Sequence, residues 1–250
     1  MKRIMSVVLF SVLVFVFAFG SPSTDAPPSV DQIVGRYVEA IGGTAAIDKI
    51  TSRVSRGTVE VVGINTKGTV EIYEKAPDKL VRIVRIPGVL AWAEGFNSTM
   101  GWAFNQQAGK VEVKKGKELA AAKFEASFYR FMKLNEYYSR ISLKGVETIQ
   151  YRDEKRETHV IEATPNVGGT ERLYFDTANG LLIRRDTQEE SEDGKIPIIE
   201  YLLDYTVLDG IKVPMTSRVR QGTTVFIFRL TDVKQNVVID DARFDKPAIR

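Results

Sequence analysis

The 250-residue chain contains no cysteine, a single histidine and two tryptophans, and these scarcities narrow its chemistry before any pattern is read. Without cysteine there is no disulfide framework, no thiol nucleophile and no acceptor for an N-terminal lipid. A zinc site lacks its usual ligands, and His159, beside Val160 and Ile161, reads as a strand residue rather than a general base. No Gly-x-Ser-x-Gly elbow and no Ser-x-x-Lys pair occurs, so hydrolysis would have to rest on carboxylates alone. Asp186, Glu189, Glu190, Glu192 and Asp193 miss the EF-hand spacing and read as a polar loop before Gly194. Gly168-Gly169 reads as a hairpin turn because no helix follows it, Asp240-Asp241 as a cap on a terminal turn, and Asn97-Ser98-Thr99 as an incidental glycosylation sequon. These readings point away from an enzyme and imply no metal and no cofactor.

Net charge is scarce too. Of the 35 basic residues only Lys2 and Arg3 precede Gly20, so 33 basic residues beyond it face 32 acidic ones. No basic stripe with interleaved aromatics is present, which argues against nucleic acid as a partner. Lys110, Lys114, Lys115 and Lys117 form the dense basic patch, and they read as a solvated turn.

What the chain does have begins with an export signal. Lys2 and Arg3 precede an apolar run from Val7 to Phe19, and Ala18-Phe19-Gly20 places small residues where a signal peptidase accepts them. The sixteen residues from Ile4 to Phe19 fall short of the roughly 20 needed to cross a bilayer. Residues 1–20 therefore read as a signal peptide cleaved near Gly20, with retention as a membrane anchor the alternative. The Ser-, Pro- and Ala-rich residues 21–28 read as a disordered spacer, and residues 29–250 as a single domain.

Ser29 and Gln32 form a capping pair, and Val30, Ile33, Val34, Tyr37, Val38 and Ile41 recur at helical spacing up to Gly42-Gly43. Thr44 is placed to cap a second short helix through Ile50. From Arg53 the period becomes two, and turn residues at hairpin distances separate the segments as far as Asn105. Residues 118–138 break that rhythm: Leu119, Phe124, Phe128, Phe131 and Leu134 predict an apolar helical face. Strands then resume from Ser142 to Val233. The total, about eleven, exceeds what a flat sheet carries and predicts an α+β fold, a curved antiparallel sheet forming an unclosed barrel with helices on its concave face. Phe226 and Phe228 alternate with Val225 and Ile227, an apolar surplus on both faces that points to an internal cavity.

The run from Arg172 to Arg185 resembles the central hairpin of the LolA/LolB-like superfamily of outer-membrane lipoprotein-sorting proteins. So does Tyr205 to Val219, with its Asp209-Gly210 turn and Val213-Pro214, and so does the opening from Val34 to Gly43. The resemblance spans about Ser29 to Pro247. It implies a periplasmic protein that holds the acyl chains of a lipoprotein or other lipid in a hydrophobic hollow under helices, with donor and acceptor proteins at the inner and outer membranes. A periplasmic lipid-sensing regulator that binds a membrane protein is the alternative reading. The aromatics Trp92, Phe96, Trp102 and Phe104 on adjacent strands, with Phe124, Phe128 and Phe131 on the helix above them, are the candidate lipid-contacting wall.

Overall fold

The computed structural model describes residues 26–64, 66–106, 109–167, 169–191 and 194–247. The signal segment, residues 21–25 of the spacer, Gly168 of the Gly-Gly turn, and Glu192 and Asp193 of the acidic loop lie outside the described residues. Helix α1 (Val30–Ala40) starts at the capping box read from the sequence. The Ser29 hydroxyl accepts from the Gln32 N–H at 3.2 Å, and Gln32 Oε1 accepts from the Ser29 N–H at 2.8 Å. Ile33, Tyr37 and Ile41 are its buried stripe. Helix α2 (Thr44–Ile47) is a single turn that stops short of Ile50, and Gly43 rather than Thr44 occupies its N-cap.

Thirteen strands follow in one antiparallel sheet: β1 (Ser52–Val61), β2 (Lys67–Lys75), β3 (Lys79–Ile86), β4 (Leu90–Asn97), β5 (Gly101–Asn105), β6 (Lys110–Val113), β7 (Tyr138–Tyr151), β8 (Glu154–Pro165), β9 (Glu171–Asp176), β10 (Leu182–Ser191), β11 (Gly194–Leu208), β12 (Ile211–Gln221) and β13 (Thr224–Gln235). The spatial order is β6-β5-β4-β3-β2-β1-β13-β12-β11-β10-β9-β8-β7. Two meanders are thus joined where β1 pairs with β13, and the edges β6 and β7 leave the sheet unclosed. The count exceeds the expected eleven partly because β6 lies in the lysine-rich run that reads as a turn. Its Val111 and Val113 pair with Phe104 and Trp102, while Lys110 and Glu112 alternate with them. At the β11–β12 hairpin Asp209 and Gly210 both take positive φ, 49° and 83°, the geometry that a two-residue turn requires.

Bulges at Arg56/Gly57 in β1, Leu143/Gly145 in β7 and Leu182/Arg184 in β10 increase the local twist. The far end of the sheet is also tied across itself. The Tyr151 hydroxyl at the end of β7 donates to the Leu202 carbonyl of β11 at 2.7 Å, and the neighbouring Arg152 pairs with Asp204. Those strands stand four places apart in the sheet order.

Directly paired residues share a face, so the register sorts the side chains. On one face lie Val59, Val61, Val70, Val84 and Ile86, with Phe226 and Phe228 paired to Val61 and Val59. The helices sit on this face. Helix α3 (Gly116–Ala126) packs on β3, β4 and β5 through Leu80, Phe96, Ala122 and Ala126, and α1 and α4 (Leu134–Tyr137) pack against β7. The opposite face holds Val54, Tyr73, Val81 and Trp102, covered by Ile239 and by Phe244 of the 3-10 turn Asp241–Phe244. Asp240 caps that turn by accepting from the Ala242 N–H at 3.0 Å, as its sequence position predicts.

The helix expected over 118–138 is two short helices with turns between them. Helix α3 stops because Ser127 leaves helical geometry at ψ 107° and its hydroxyl donates back to the Lys123 carbonyl. The Arg130 guanidinium then curls back and donates to the terminal carbonyls of Phe124 and Glu125, capping the helix from outside. The Phe128 N–H donates instead to the Pro77 carbonyl in the β2–β3 turn. Phe128 and Phe131 therefore stand on the turn segment, not on a helix.

Candidate functional site

The strands at the middle of the sheet are sharply two-sided. Along β13 the side chains of Phe226, Phe228 and Leu230 join the apolar cluster on the helix-bearing face, half-buried, together with Ile72 and Trp92. Phe226 and Phe228 stack with ring centroids 6.2 Å apart. The same strands turn charge outward, where Arg56 pairs with Asp232, Arg229 with Glu60 and Arg85 with Glu71. An antiparallel sheet with one wet face shows this alternation, and here the wet face is the one without helices. Large apolar side chains that remain half-exposed on the other face form a trough between α3 on one side and α1 with α4 on the other.

The helical segment is fastened beside this trough by buried charge. Arg185 of β10 donates to Glu171 of β9 at 2.6 Å and to Glu125 of α3 at 2.7 Å, and Tyr138 donates to the other Glu171 oxygen at 2.9 Å. Arg130 pairs with Glu125 at 2.9 Å and lies 4.6 Å over the Phe131 ring. Burial alone would raise the Glu125 carboxyl, but Arg130, Arg185 and Arg82 together hold it well below the usual carboxylate range. Burial likewise disfavours charge on Arg185, and Glu125 and Glu171 more than offset it, keeping the guanidinium protonated. Burial pushes the Tyr37 hydroxyl of α1 up to about 12, with Arg53 opposing. These groups hold structure together; they are not poised to exchange protons near neutrality.

The register divides the seven aromatics singled out in the sequence. Gly95 pairs with Trp102 and Ala93 with Phe104, so Trp102 and Phe104 occupy the outer face, while Trp92 and Phe96 occupy the helix-bearing one. The turn that sets this register is held by Asn97, whose side-chain oxygen accepts from the Thr99 and Met100 N–H groups and from the Thr99 hydroxyl. Phe96 is sealed at 2% exposure under α3, and Phe124 packs edge-on against Tyr138 at 5.3 Å. Phe128 and Phe131 are half-buried; the Arg53 guanidinium lies 5.6 Å from the Phe128 ring. Trp92, Phe128 and Phe131 thus reach the helix-bearing face with surface to spare. Leu230, Val59 and Val61 escaped the sequence reading, although strict alternation along β1 and β13 marks them once the face is known.

His159 is half-buried in β8, paired with Val146 and Phe175, and its pKa is lowered by burial and by Arg36. Among the described residues no group of three or more His, Asp or Glu stands close enough to hold a metal ion. No described helix is long and apolar enough to cross a membrane.

No protein-family model matches the sequence, and no curated protein matches it. Solved structures do. A DUF1329 family protein from Desulfovibrio piger aligns at 12% identity over 86% of this chain and 97% of its own, with a TM-score of 0.56. A LolA superfamily protein from Nitrosomonas europaea aligns at 11% identity over 88% and 99%, with a TM-score of 0.54. A protein domain from Vibrio parahaemolyticus, named for outer membrane lipoprotein sorting, aligns at 11% identity over 85% and 95%, with a TM-score of 0.52. The chain has a LolA-like fold.

Proposed function

We propose that this protein is an exported carrier that shelters the acyl chains of a lipoprotein or another lipid on the helix-bearing face of its open sheet, without chemical turnover. The observation that carries the reading is the trough of Phe226, Phe228, Leu230 and Trp92, apolar and half-exposed on strands whose other face is charged. An acyl chain gains roughly 0.8 kcal/mol for each methylene removed from water, and the ring faces it covers gain as well. Because the trough is open at the middle of the sheet, a chain can enter and leave without unfolding the core.

In this reading Trp92, Phe128 and Phe131 contact the lipid together with the β13 aromatics, and Phe96 and Phe124 support them from within the core. Residues 29–247 act as one binding unit, delivered to the periplasm by the N-terminal apolar segment. The ligand arrives from an inner-membrane donor and passes to an outer-membrane acceptor. The likeness to the Vibrio parahaemolyticus sorting domain lends fold-level support and no more.

The test is to purify the protein from the envelope fraction under native conditions and identify co-purifying lipid by mass spectrometry. Lipid or lipoprotein near one per chain supports the carrier. An empty protein that pulls down a membrane protein instead would favour the lipid-sensing regulator.

A further inference from the structure

We infer that the outer face of the sheet carries a second binding site, for a single-chain fatty acid with a free carboxylate. The site is a cavity of about 590 Å3 between strands β3–β6 and the C-terminal segment, on the face opposite the helices. Its volume falls within the range of small-molecule sites.

The cavity follows from the sequence of β4 and β5. Trp102 lies flat over Gly95, where an added Cβ would come within 2.5 Å of the indole. The indole N–H donates to the Phe244 carbonyl at 2.9 Å, which pins the C-terminal segment across the sheet. Next to it the short side chains of Ala91 and Ala93 leave the space under that segment unfilled, and Phe104, Ile83 and Val111 complete an apolar lining. A methylene takes up about the share of volume of one water, ~30 Å3, so the cavity accepts roughly one long acyl chain and not the two of a phospholipid.

The polar lining is cationic. Arg85, Arg243 and Lys246 border the cavity against one acid, Asp245, which already accepts from the Asn97 side-chain amide at 2.7 Å. Arg85 is paired with Glu71 and Arg243 donates to the Tyr73 hydroxyl, whereas Lys246 shows no acidic partner among the described residues. An apolar chamber with surplus positive charge at its border complements one apolar chain ending in an anion. The site shares no side chain with the Phe226–Phe228 trough, so it stands or falls separately from the carrier reading.

The experiment uses the full chain purified from the envelope fraction and carrying Trp92→Phe, which leaves Trp102 as its one tryptophan. Stearate bearing a nitroxide quencher on its chain is titrated in, and Trp102 emission is followed. Saturable quenching is expected, weakened about tenfold or more when Arg85→Glu and Lys246→Glu are combined, since a lost charge-assisted contact costs that much. Ala93→Phe is expected to block it by filling the chamber, and the methyl ester of the same probe to bind more weakly than the acid. Far-UV circular dichroism establishes that each variant is folded. Absence of saturable quenching, or indifference to both the charge reversal and Ala93→Phe, would overturn the site. Quenching that appears only after residues 248–250 are removed would assign the cavity to the chain's own terminus and overturn it as well. A parallel Trp102→Phe protein, in which Trp92 alone reports from the helix-bearing face, keeps a negative result here separate from one in the trough.

Discussion

Arg185 and Glu171 face each other across β10 and β9 at 2.6 Å, both buried, and Glu125 of α3 takes a second bond from the same guanidinium nitrogen. One cation thus ties two strands to the segment that flanks the apolar trough. Removing it leaves the Glu171 carboxylate buried without its main partner, a loss of about 3–5 kcal/mol for such a pair. Arg185→Leu should therefore lower the urea midpoint steeply, with an unchanged slope if unfolding stays two-state. Pairing it with Glu171→Met should recover part of the loss, because the stranded charge disappears too. A single-variant loss below about 1 kcal/mol would show that the cluster is solvated and does not fasten the helices.

The same cluster gives a pH signature. Glu125 has its pKa lowered in the folded protein, so the unfolded chain takes up a proton first as pH falls. The stability it contributes is present above the unfolded carboxylate value, about 4.3, and is lost as pH drops below that toward the folded value. Melting temperature should consequently hold from neutral pH to about pH 5 on this account and decline beneath about pH 4. Glu125→Gln should be less stable at neutral pH yet show a shallower acid decline. Parallel acid curves for the two proteins would mean that other carboxylates govern the transition.

Gly95 is required by Trp102, not by a turn. Its backbone lies in β4, and the indole occupies the volume that any Cβ would need. Gly95→Ala must push the ring off the strand or strain the hairpin, a cost of about 1–3 kcal/mol for overpacking. Because the ring also holds the Phe244 carbonyl, the C-terminal segment should loosen with it. The expected readings are a red shift in Trp102 emission, measured with Trp92→Phe present, and faster proteolysis after Val237. Unshifted emission would place the indole elsewhere.

Local signals were legible wherever the chain's nearest neighbours decide the outcome. The Ser29–Gln32 box, the Asp209-Gly210 hairpin and the Asp240 cap all depend on residues within three positions, and each forms as read. Phe128 and Phe131 continue the helical spacing from Phe124, yet the helix ends first, because Ser127, Arg130 and the distant Pro77 carbonyl supply better partners for the backbone there. The face of each aromatic was harder still. Period two says that side chains alternate but not which set is inward, and Trp92 parts from Trp102 only once the Asn97 turn fixes the register. Arg185 reads as a solvent-facing strand charge; what buries it is α3, some sixty residues earlier in the chain.

The trough itself can be tested at Phe228 and Phe128. Phe228 is half-buried between Val59 and the Phe226 ring, with one side facing the open middle of the sheet. A carboxylate there can stay hydrated in the empty protein, so Phe228→Glu should cost about 1–3 kcal/mol for the lost apolar contact and leave the sheet folded. In a loaded protein the same carboxylate would have to be stripped of water against an acyl chain, so co-purifying lipid should fall by more than about tenfold. Phe128→Glu should act on the same ligand by another route, since the Arg53 guanidinium lies over that ring and would pair with the new carboxylate, drawing the turn segment toward β1. Both variants should therefore emerge folded by circular dichroism and empty by mass spectrometry. Retained lipid in Phe128→Glu alone would confine the contact surface to β13 and its neighbours; retained lipid in both would remove the helix-bearing face as the binding surface.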